Sequence, residues 1–264
     1  MRFRSPAFLA FAVSLALPSA VLAQGSDVYK LPVPTGMMGS QMGRAQPGVA
    51  ASSPIGFGPS AGDIFAGFGF QTKQPNSNDA DGAISVGGGF LNPNETVGIE
   101  AVLTSFSTIR GGFGQRMGLS AKVHKNVNGW GLGLGTEGII LNGDDFGTSP
   151  TLYVAATRGL TVRDAATFNS ATINFGVGTG RFQSVDDFAA GESGLGVFFS
   201  SSLRVNEWSS AIVDYAGAQL TLGLSFAPFK NLPLVISPAL SDITGASGSN
   251  AARPSLGAGM SWKY

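Results

Sequence analysis

The sequence predicts an all-β fold, a closed antiparallel transmembrane β-barrel of about 12 strands spanning residues 62–264. Three observations predict it. Apolar residues alternate with small or polar ones in segments of about 8 to 12 residues, again and again from Gly62 to the C-terminus. Only 12% of residues are charged, against about 25% in ordinary soluble domains. Beyond the N-terminus no apolar run is long enough for a membrane helix. Such a chain, 43% hydrophobic, needs another place for its apolar side chains. A sheet with one face in lipid provides it.

The N-terminal 23 residues read as a secretory signal peptide. Arg2 and Arg4 form a basic start, Ala7 to Leu17 a short apolar core, and Val21-Leu22-Ala23 a small-residue cleavage site. Pro18 and the short core argue against a membrane helix. With both arginines removed, 14 basic residues face 16 acidic ones. That balance argues against a nucleic-acid partner. No cysteine is present, so no disulfide holds the exported chain. Residues 24–61 carry Pro32, Pro34, Pro47, Pro54 and Pro59 without a sustained period. They are expected to form a disordered periplasmic leader.

The barrel segments follow in order. Ile64, Ala66, Phe68 and Phe70 share one face of the first segment. Ile84, Val86 and Phe90 mark the second, and Val97, Ile99, Ala101 and Leu103 the third. Met117 to Val123, Trp130 to Leu134, Leu152 to Ala156 and Ile173 to Val177 mark the next four. Leu195 to Val205 and Ala211 to Tyr215 follow. Leu220, Leu222, Leu224 and Phe226 give the cleanest alternation. Leu234 and Ile236 form a weaker eleventh, and Leu256 to Tyr264 the last.

Twelve is even, which returns both termini to one side. Most connections also alternate between short turns, such as Asn92-Pro93-Asn94, and long loops, such as Ser241 to Arg253. Arg158 to Ser170 is long where a short turn is expected, and Gly217 is barely a loop, which leaves 10 or 14 strands as alternatives. A secreted β-sandwich alternates in the same way but needs a solvated polar exterior. The second face here is rich in glycine and serine, which suits a confined interior.

Leu256, Met260, Trp262 and the terminal aromatic Tyr264 alternate at the C-terminus. This pattern resembles the terminal-strand signature of bacterial outer-membrane β-barrel proteins, a porin-like class. Members usually end in phenylalanine rather than tyrosine. The resemblance implies residence in the cell outer membrane, with lipid and lipopolysaccharide as surroundings and periplasmic chaperones and the barrel-assembly machinery as partners. The stretch Leu152 to Phe182 also resembles barrels associated with exopolysaccharide export, through Ala155-Ala156-Thr157-Arg158-Gly159-Leu160 and Gly176-Val177-Gly178-Thr179-Gly180-Arg181-Phe182.

Candidate chemistry is sparse. The glycine strings at Gly131 to Gly135 and Gly176 to Gly180 lie inside alternating segments, without the helix a dinucleotide fingerprint needs. No cofactor is expected. His124, the single histidine, lies beside a turn between Lys122 and Lys125 with no acid to orient it. It reads as a rim residue rather than a catalytic base or metal ligand, so no enzyme and no metal site are expected. Asp79, Asp81, Asp144, Asp145, Asp186, Asp187 and Glu192 read as solvated loop acids without calcium-loop spacing. By parity Glu100, Arg116, Lys122, Glu137 and Asp214 face the lumen, as a mixed-charge constriction or as a salt-bridge network. Many other inward positions are Gly, Ser or Thr, so water should enter unless a loop or the leader folds inside. The expected function is a narrow, passive, weakly selective channel for small solutes or ions. The alternative is a closed structural or surface-interaction barrel without transport, linked by the second resemblance to exopolysaccharide export.

Overall fold

Every strand of this protein hydrogen-bonds to its sequence neighbours, and the first closes on the last. The computed structural model describes residues 45–73, 79–109, 111–143, 150–161, 170–184, 187, 193–246 and 252–263. The signal-peptide segment, the start of the leader and Tyr264 lie outside them.

Among the described residues, twelve antiparallel strands run in chain order. They are β1 (Asp63–Gln71), β2 (Asp81–Phe90), β3 (Gly98–Ser105), β4 (Met117–Val127), β5 (Trp130–Asn142) and β6 (Thr151–Thr161). Then come β7 (Ser170–Gly178), β8 (Gly196–Asn206), β9 (Ser209–Ala216), β10 (Gln219–Phe226), β11 (Leu234–Ser241) and β12 (Arg253–Lys263). β1 pairs with β12 over its whole length, from Asp63 opposite Lys263 to Gln71 opposite Ser255. That seam leaves no open edge, which hydrocarbon would not tolerate.

The outer wall is apolar. Leu134 is 60% exposed, and Leu152 and Val154 are each 52% exposed. Their neighbours in the same strands, such as Gly133, Tyr153 and Ala155, are buried. This is the inversion of a soluble protein that a lipid solvent demands. In β5 the alternation needs a reset. Glu137 faces in, Gly138 takes φ of +68°, and the β4–β5 register shifts nearby. The extra residue turns Ile139 and Leu141 outward, extending the apolar wall upward. Gly217, with φ of +65°, permits the tight β9–β10 turn where a long loop was expected. The count of 12 therefore survives this irregularity.

The lumen is not the roomy interior that its small residues suggested. Several inward glycines are seats for aromatic rings from neighbouring strands or the connections beside them. A Cβ on Gly87 would lie 2.5 Å from the Phe65 ring, one on Gly178 2.6 Å from Phe182, and one on Gly118 2.8 Å from Phe106. Gly135 and Gly176 make the same room for Tyr153 and Phe198. These rings are buried inside the barrel. Missing side chains on one strand thus become volume for rings on the next.

Candidate functional site

Residues 45–60 enter the lumen. The expectation of a disordered leader is corrected for this part, almost all of which is buried. Apart from Gln46 its residues are all small or apolar and it carries no charge, which favours a dry setting over a solvated one. Proline keeps it from adding a strand to the sheet. Its backbone groups must then be satisfied by side chains of the wall.

The segment runs as a U. Ala45 packs against Ala227 and Val235 at the end of the barrel where β1 begins and β12 ends. The N–H of Gly48 donates to Ser225 Oγ at 2.7 Å, and Ser210 Oγ donates to the Gly48 carbonyl at 2.6 Å. Near mid-lumen the chain turns under Asp214 of β9. One oxygen of that carboxylate accepts the N–H groups of Ala51, Ser52 and Ser53 at 2.8, 3.0 and 3.0 Å. The other accepts both serine hydroxyls at 2.7 Å. Five donors thus converge on one fully buried carboxylate.

The chain then crosses the lumen and returns. Asn174 of β7 donates to the Pro54 carbonyl at 3.1 Å, and Gly56 N–H donates to Thr157 Oγ1 of β6 at 2.7 Å. Lys122 Nζ of β4 donates to the Phe57 carbonyl at 2.8 Å while it pairs with Glu100 of β3 at 2.7 Å. Ile55, 1% exposed, clusters with Val49 and Ala50 and packs on Phe57. Ser60 N–H donates to Asp63 at 2.8 Å, and β1 begins. The segment therefore starts and ends on the same side of the barrel, touching β10, β9, β7, β6 and β4 in turn.

Glu100, Lys122, Glu137 and Asp214 are all buried on the inner wall. None lines an open passage. Glu100 and Lys122 form an ion pair, and Glu137 pairs in a fork with Arg181 at 2.7 and 3.3 Å. Arg181 sits in a short 3₁₀ turn, Gly180–Phe182, after β7, and its Nη2 also donates to the Ser52 carbonyl at 3.1 Å. Arg116 is corrected. It lies in the β3–β4 connection, just short of β4, and is half-buried. Parity fails there because the strand has ended.

Sequence reasoning missed Arg181 as a partner of Glu137, and it missed Ser52 and Ser53. The uncharged run at 45–60 was the available signal. His124 is also corrected. It is 1% exposed rather than at the rim, and its ring lies between Gly58 of the plug and Gly98 of β3. Asp81 is no loop acid either. It is buried at the start of β2, accepting Ser107 Oγ at 2.7 Å and Gly82 N–H at 2.8 Å. Asp144, Asp145, Asp186 and Glu192 lie outside the described residues.

A closed sheet with an apolar outside, a polar inside and its own chain threaded through the lumen defines a transmembrane β-barrel with an internal plug. No family model matches the chain, and no curated protein matches it. Among solved structures it is similar to one described as the NanC porin structure in rhombohedral crystal form, at 12% identity and a TM-score of 0.40, over 76% of this chain and 99% of that one. The class assigned here rests on the strand pairing and the apolar wall, not on that likeness.

Proposed function

We propose that the protein is an outer-membrane barrel that is closed at rest by residues 45–60 and passes small solutes or ions when that segment leaves the lumen. One observation carries this reading. The plug belongs to no strand and is held mainly by hydrogen bonds to polar inner-wall side chains, at Asp214, Lys122, Asn174, Thr157 and Ser225. Its departure breaks no strand pair. The groups it uncovers are polar and readily solvated by water. Glu100, Lys122, Glu137 and Asp214 would then line a narrow mixed-charge passage of weak selectivity.

A second reading is favoured by the buried rings of Phe65, Tyr153 and Phe198, which fill lumen volume independently of the plug. On that reading the barrel is permanently closed and serves a structural or surface role. Conductance of the refolded mature chain in planar bilayers separates the two. The channel reading expects near-silent wild type and frequent openings in Asp214→Ala. Silence in both, with the barrels intact by heat-modifiable gel mobility, rejects the channel and leaves the closed barrel.

A further inference from the structure

The outer wall carries an anomaly that neither the plug nor the lumen explains. Among the described strand residues that face outward, only two are charged, Lys125 of β4 and Arg158 of β6. Both are cations, both are exposed, and they flank the same strand, β5. Neither makes an ion pair among the described residues. Arg158 instead lies over the ring of Trp130 on β5, its Cζ 5.3 Å from the centroid. Trp130 also meets Phe175 of β7 edge-on, at 5.8 Å.

The position along the barrel axis is set by the tryptophans. The chain has three. Trp130 opens β5, Trp208 sits in the β8–β9 turn, and Trp262 is near the end of β12. All three mark the short-turn end. Tryptophan settles where lipid headgroups meet hydrocarbon, so this ring of indoles fixes the interface at that end. Arg158 and Lys125 therefore stand at or just inside headgroup level, in a wall whose other described outward strand residues are uncharged.

We infer that Lys125, Trp130 and Arg158 form a binding site for the headgroup phosphate of an anionic phospholipid in the leaflet at the short-turn end. Register supports a shared ligand. Trp130 is opposite Arg158, and Lys125 is opposite Leu132, the next outward residue of β5. Two strand spacings of ~4.8 Å and one outward step of ~7 Å separate the two cations at the backbone. Arms of that length bring both heads to one phosphodiester. The guanidinium offers a planar fork to its oxygens, the ammonium a point charge, and the indole a platform beneath the first acyl carbons.

The test uses the full mature chain in neutral detergent, with native mass spectrometry counting retained lipid. Dioleoyl phosphatidylglycerol, dioleoyl phosphatidylcholine and lipid A are titrated separately. Wild type should retain one phosphatidylglycerol in preference to phosphatidylcholine. Lys125→Gln/Arg158→Gln should weaken that retention about tenfold or more, the worth of even one of the two charge-assisted contacts it removes. Lys230→Gln, at an exposed turn of the same end, should leave it unchanged. Heat-modifiable mobility identifies folded material, and Arg158→Lys provides a variant that keeps the charge if the double variant folds poorly. Equal retention by wild type and the double variant, equal retention of phosphatidylcholine, or preference for lipid A would each overturn the assignment.

Discussion

Replacing Asp214 by alanine removes the acceptor for five hydrogen bonds that hold the plug. Three of the donors are backbone N–H groups of consecutive residues and cannot all turn elsewhere while the segment stays in place. The worth of the set is not five times one bond, because the bonds share one carboxylate and the barrel pays to bury that charge. Each buried donor left without an acceptor costs about 1 to 3 kcal/mol, so the three backbone N–H groups together cost about 3 kcal/mol or more. At 1.4 kcal/mol per tenfold, the undocked population should rise by roughly 100-fold or more. Ala50, 2% exposed in the plug, supplies the probe. In Ala50→Cys, a membrane-impermeant maleimide should react slowly, at a rate set by undocking. Adding Asp214→Ala should raise that rate by at least two orders of magnitude. Asp214→Asn, which keeps one acceptor oxygen, should fall between. An unchanged rate in folded Asp214→Ala barrels would refute the latch.

Three further outcomes follow from the same structure. Glu137→Gln leaves the buried guanidinium of Arg181 without its counter-charge, should cost about 3 kcal/mol or more, and should speed labelling at Ala50→Cys, because Arg181 also holds the Ser52 carbonyl. Gly176→Ala places a methyl group against the Phe198 ring and should destabilise the barrel by about 1 to 3 kcal/mol in urea unfolding, with Phe198→Leu in the same chain restoring part of the loss. Leu222→Arg puts a cation on the outer wall of β10, where it should cost about 2 to 4 kcal/mol near the bilayer midplane and lower the yield of heat-modifiable barrel; wild-type yield would contradict the outward assignment.

The strands were legible because each records its own environment locally. Leu220, Leu222 and Leu224 face lipid while Thr221 and Gly223 face in, and a period of two needs no knowledge of any other strand. The same parity placed Glu100, Lys122, Glu137 and Asp214 inward. It failed at Arg116, beyond a strand end, and it could not foresee the reset at Gly138 that turns Ile139 outward. The interior was illegible for a different reason. Whether Gly176 is empty space or the seat of Phe198 depends on β7 and β8 being paired with Gly176 opposite Phe198, a relation between distant residues. Arg181 and Glu137 are likewise brought together only by the pairing of β5, β6 and β7. The plug left the weakest trace. A segment whose backbone is satisfied by other residues' side chains has no period of its own, and its prolines imitate a linker.

The central claim is that residues 45–60 close the lumen and can leave it. A reversible lock tests it most directly. Ala51 Cβ lies 3.6 Å from a Cβ built at Gly223 of β10, within the roughly 3.5 to 4.5 Å span of a disulfide. The chain has no native cysteine to interfere. Single-channel current through Ala51→Cys/Gly223→Cys, carrying Asp214→Ala to favour opening, should be absent when oxidised and appear when reductant is added to the same bilayer. Equal current in both states would show that solutes do not wait for the plug, and no current in either would show that its release opens nothing.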